Sequence, residues 1–70
     1  MDDHNKTMNT RDCLQRAWEN TMELVRDFEM YSKNINDHKV ADLFKSFAEE
    51  QGEQAHQLRE LFNQYENKKQ

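Results

Sequence analysis

Glu53-Gln54-Ala55-His56 has the spacing E-x-x-H. On a helix, residues three apart share a face, so this carboxylate and imidazole can reach one metal ion. Glu50, one turn earlier, would add a second carboxylate. His4 raises a different chemistry, an amino-terminal copper or nickel clamp. That clamp needs a histidine third from the free amine, and His4 is fourth when Met1 is kept. A polar tail is therefore expected there. The single glycine, Gly52, rules out a Gly-rich phosphate loop. No Ser-His-Asp or Cys-His arrangement is expected to come together.

The elements that must position these groups follow from composition. Seventy residues make one small domain at most. At this size a core alone rarely supplies more than about 3–5 kcal/mol, so a disulfide, a metal or a second subunit is usually required. Cys13 is the only cysteine, which excludes an internal disulfide and fits a reducing cytoplasm. Ten basic residues are scattered among fourteen acidic ones, for a net charge of −4. No basic surface for nucleic acid is expected from that balance. No apolar run approaches the roughly 18 residues needed to span a bilayer, and the polar amino end does not read as a signal peptide.

There is no proline, so long uninterrupted helices are permitted. Leu14, Trp18, Thr21, Val25, Phe28, Ser32 and Ile35 follow one another in steps of three and four, with Ala17, Leu24 and Tyr31 widening the stripe. Thr10 is the expected N-cap, and Asp12 suits the first turn. Asn36-Asp37 interrupts the pattern: Asn tolerates left-handed backbone and Asp37 can cap a second helix. The pattern resumes as Val40, Phe44, Phe47, Gln51, Gln54, Leu58, Leu61 and Tyr65, flanked by Leu43, Ala48, Ala55 and Phe62. Lys68 and Lys69 suit the end of the second helix. The expected organisation is a tail over 1–9, a helix over 10–35, a turn at 36–37, a helix over 38–66 and a polar end over 67–70.

A connection this short forces the helices side by side and antiparallel. Two helices cannot enclose Trp18, Val25, Phe28, Phe44, Phe47, Leu58 and Leu61. A second copy related by a two-fold axis closes the open side into a four-helix bundle, and that homodimer is the expected assembly.

Helix phase then decides where the E-x-x-H points. At about 100° per residue, Glu53 and His56 are swung roughly 200° from the apolar stripe. They share the outer face with Lys45, Glu49 and Glu60, where Lys45–Glu49 and His56–Glu60 can pair. The residues facing inward at mid-height are Thr21, Gln51 and Gln54. They are expected to form one polar layer across the bundle, because a buried amide without a partner costs about 1–3 kcal/mol.

From Ala17 to Leu61 the chain resembles one half of a ferritin-like, rubrerythrin-type bundle. In that family the first helix carries a Glu seven residues before an aromatic. An acidic turn follows, and then a helix with Leu-Phe, Ala and an inward E-x-x-H. Phe28 takes the aromatic position, Asp37 the turn acid, and Leu43-Phe44, Ala48-Glu49-Glu50 and Leu58 the second-helix positions. The ligand positions fall on Thr21, Gln51 and Gln54, and the visible E-x-x-H is two residues out of phase. The resemblance implies a hairpin that pairs into a four-helix bundle around two iron ions. The departure removes the carboxylates and imidazole such a site requires.

The expectation is therefore an all-α, cytoplasmic, non-catalytic structural or interaction protein, a homodimeric bundle with no cofactor and a degenerate metal site. Its partner is itself, as a homodimer or a larger assembly of dimers, with neither nucleic acid nor membrane. The rival is an iron-handling ferritin-like protein with shifted ligands, which would need Glu50, Glu53 and His56 to turn inward or meet at a subunit contact. A third option is a small adaptor whose dimer edge binds another helix.

Overall fold

The computed structural model describes residues 9–68, with side chains to Glu66. It contains two helices, α1 (Thr10–Asn34) and α2 (His38–Lys68), and no strand among the described residues. The amino-terminal stretch with His4, and the residues after 68, lie outside the described part. So do the side chains of Asn67, Lys68 and Lys69.

The start of α1 corrects the sequence expectation. Asn9 is the N-cap: it holds an extended backbone, and its side-chain oxygen accepts from the Asp12 amide at 2.8 Å. Thr10 is then the first helical residue. Both types cap well, and the one whose oxygen reaches the third following amide wins.

The connection also differs from expectation. Helix α1 ends at Asn34, and Ile35 is extended (φ −90°, ψ 132°), with its amide donating to the Tyr31 carbonyl at 3.0 Å. Among the described residues none has positive φ, so Asn36 turns the chain without left-handed backbone. Asp37 does cap α2: its Oδ1 accepts from the Lys39 amide at 3.0 Å and the Val40 amide at 3.3 Å. Helix α2 runs two residues further than the periodicity predicts, to Lys68.

Side chains of known partner set the register of the hairpin. Near the turn, the Phe28 ring lies 5.7 Å from Phe44 and 5.8 Å from Phe47. Tyr31 meets Phe44 edge-on at 5.3 Å. Further along, the Arg59 guanidinium sits over the Trp18 ring at 4.7 Å from its centroid. At the open end Arg11 pairs with Glu66 and lies over the Phe62 ring at 5.5 Å. These contacts pin the two helices at both ends of their overlap.

The most buried positions of the hairpin are small residues. Ala48 and Ala55 are 4% and 2% exposed, and they are the only buried residues described. Short side chains let the backbones approach, while the larger apolar groups fan to one side. The molecule measures only 12 Å across its thinnest axis, about the diameter of one helix. It is a single layer, and no side chain larger than alanine is buried among the described residues.

Candidate functional site

The apolar arc of each helix is wider than the contact it makes with the other. Trp18, Val25, Phe28, Phe44 and Leu58 are half-buried along the seam. Phe47 and Leu61 are exposed, at 37% and 44%. Leu24, Tyr31, Val40, Leu43 and Tyr65 are exposed as well. On helical phase these fall on the same side of the hairpin as Phe47 and Leu61. The result is a continuous apolar face left in water. A monomeric domain rarely leaves a large contiguous patch of this kind bare.

The polar residues predicted for the middle of that face are arranged as follows. Phe28 is level with Phe47 and Trp18 with Arg59, so Leu24 comes level with Gln51 and Thr21 lies within about half a turn of Gln54. Thr21 is half-buried, and its hydroxyl donates to the Ala17 carbonyl at 2.7 Å. Its donor is thus satisfied within its own helix. Gln51 is half-buried and Gln54 exposed, and among the described residues neither side chain has a hydrogen-bond partner in the chain. Both amides keep their bonding capacity for water or for another molecule. No buried side-chain polar atom among the described residues lacks a partner.

Glu50, Glu53 and His56 are all exposed. His56 Nε2 is 3.2 Å from Glu60 Oε2, one turn on, as the spacing predicts. At 73% and 63% exposure such a pair contributes little to stability. Lys45 and Glu49 form no corresponding pair among the described residues. An open groove over Glu49, Gly52, Glu53, His56 and Gln57 lies on this outer side, away from the apolar face. Among the described residues no three His, Cys, Asp or Glu side chains converge as a metal site would require. Cys13 is a free, exposed thiol.

Two features escaped the sequence reading. The four-ring cluster of Phe28, Tyr31, Phe44 and Phe47 was visible only as separate stripe and flank positions. Its signal is the clustering of aromatics in the turns on either side of a short connection. The Arg59–Trp18 stack was also missed, because Arg59 reads as surface charge until the seam is located.

No helix among the described residues is long and apolar enough to cross a membrane. Comparison with known proteins gives no match to a family model, to a curated protein or to a solved structure.

Proposed function

We propose that this chain is one half of a homodimeric four-helix bundle, a non-catalytic structural or protein-interaction module of the cytoplasm. Its architecture is ferritin-like, and amides stand where that family places metal ligands. The observation that carries this reading is the missing second layer: nothing larger than alanine is buried among the described residues, while Leu24, Tyr31, Phe47 and Leu61 share one open face. A second copy is the simplest cover, because the same face on both partners is self-complementary under a two-fold axis. At mid-face the unpaired amides of Gln51 and Gln54 would then bond across the interface or to trapped water. Such polar layers fix register at a modest cost in stability.

The absence of catalysis is inferred from chemistry. The inward positions carry a hydroxyl and two neutral amides, which neither donate a proton near neutral pH nor bind a hard cation well. The acidic outer faces, with Glu19 and Glu23 on α1 and Glu49, Glu53 and Glu60 on α2, would meet solvent or a basic protein surface.

Sedimentation equilibrium together with metal analysis on one freshly purified sample tests the reading. The expected result is twice the chain mass with no stoichiometric transition metal. A protein that stays monomeric at high micromolar concentration would overturn the dimer. A stoichiometric metal lost in His56→Ala would replace this reading with metal handling through shifted ligands.

A further inference from the structure

The dimer can close in two ways, and the charges at the rim of the apolar face distinguish them. With the two-fold axis along the helices, both turns sit at one end and α1 faces the partner's α2. With the axis across the helices, the turns sit at opposite ends, and each helix faces its own copy running the other way. Either choice covers the apolar face.

The rim on α1 carries Arg16 and Asp27. They lie three helical turns apart on one line, just outside the line of Leu24 and Tyr31. The rim on α2 carries Glu50 at the matching position outside Phe47 and Gln54. Among the described residues Arg16, Asp27 and Glu50 have no ion-pair partner within the chain, so their charges are left for whatever meets the face. Phe28 is level with Phe47, which puts Asp27 within a turn of the height of Glu50. With both turns at one end, Asp27 would therefore meet the partner's Glu50, and the partner's Asp27 would meet Glu50. Two acid–acid contacts would flank the interface. With the turns opposed and the axis through the Thr21–Gln51–Gln54 layer, Arg16 comes opposite the partner's Asp27, and the reverse pair follows by symmetry. Gln54 comes beside the partner's Gln54 close to the axis, so amides left without partners in the chain meet one another.

We propose, resting on the homodimer reading above, that the second copy docks with its turn at the opposite end, held in register by reciprocal Arg16–Asp27 ion pairs. The occupant of the apolar face is thus another copy of this chain in one stated orientation.

Charge reversal tests it. Arg16→Asp turns two attractions into two repulsions and should raise the dimer dissociation constant about tenfold or more at low salt. Asp27→Arg alone should do the same, and the double swap Arg16→Asp/Asp27→Arg should restore dimerisation. A geometric test removes the exposed thiol with Cys13→Ser and adds Arg16→Cys and Asp27→Cys together. These positions are too far apart along one helix to bridge within a chain. Opposed turns predict a disulfide-linked dimer from the double variant and none from either single cysteine. A dimer that shows neither swap rescue nor cross-link overturns the orientation while leaving the dimer itself standing. A protein that is monomeric without substitution defeats both.

Discussion

The rings of Phe28 and Phe47 lie 5.8 Å apart across the seam, tilted by 55°, with Phe44 against both. This contact ties the end of one helix to the start of the next where a turn of three residues separates them. Phe44 is the hub, since it also touches Tyr31. Because Phe44 is half-buried in the chain alone, Phe44→Ala should destabilise the fold by about 3 kcal/mol, toward the lower end for aromatic truncation. Urea unfolding followed by far-ultraviolet circular dichroism measures this. An unchanged midpoint would mean the cluster contributes no packing energy.

Gly52 sits inside α2 with no positive φ, and a Cβ built there would meet nothing within 4 Å. Its cost is therefore conformational entropy with no steric compensation in the hairpin. Gly52→Ala should raise stability by up to about 1 kcal/mol, visible as a higher thermal midpoint. A lower midpoint would show that something in the assembled protein fills that space.

The helix N-terminus gives a local test. Asn9→Ala removes the side-chain acceptor for the Asp12 amide and should cost about 1 kcal/mol. Thr10→Ala should cost much less, because Thr10 is already helical. Equal losses at the two positions would contradict the cap geometry.

Both helices were legible because unbroken three-four periodicity without proline leaves little else for the chain to do. Asp37 was legible as a cap for the same local reason. The seam was not. Hydrophobic pattern locates the centre of an apolar arc, whereas the neighbouring helix meets only one edge of it. Ala48 and Ala55, read as flanks, are the buried residues among those described, and Phe47 and Leu61, read as centre, are exposed. An arc shared between an in-chain neighbour and a second layer has its centre on neither. For the candidate site, the phase argument that His56 points outward agrees with its exposure and its Glu60 partner. Gln51 and Gln54 read as inward from periodicity, yet in the chain Gln51 is half-buried and Gln54 exposed, because α1 meets the edge of the apolar arc and not its centre.

Gln51 separates a register device from an essential network. If its amide is a tolerated cost at the centre of the proposed bundle, Gln51→Leu should fold normally with equal or greater stability. Replacing an amide by an apolar group of similar size removes a desolvation penalty. Thermal melts and sedimentation of the variant give the answer. Severe unfolding would mean that Gln51 anchors bonds the fold cannot lose.

The strongest test of the layer is to rebuild chemistry in it. Thr21 lies within about half a turn of Gln54, and Gln51 lies one turn away on the same helix. Thr21→Glu, Gln51→Glu and Gln54→His together supply two carboxylates and an imidazole per chain. Doubled by a two-fold axis, that is the ligand complement of a di-iron bundle site. The three substitutions alone would bring uncompensated acidic charge into the interface, so the apo variant should be less stable than the parent protein and regain stability when loaded. The expected outcome is uptake of about two iron ions per dimer, with a thermal midpoint that rises on metal addition. Each single variant, lacking the full set, should take up far less. A triple variant that is folded and dimeric yet gains neither iron nor stability would show that the three positions do not converge at one height in the assembled bundle.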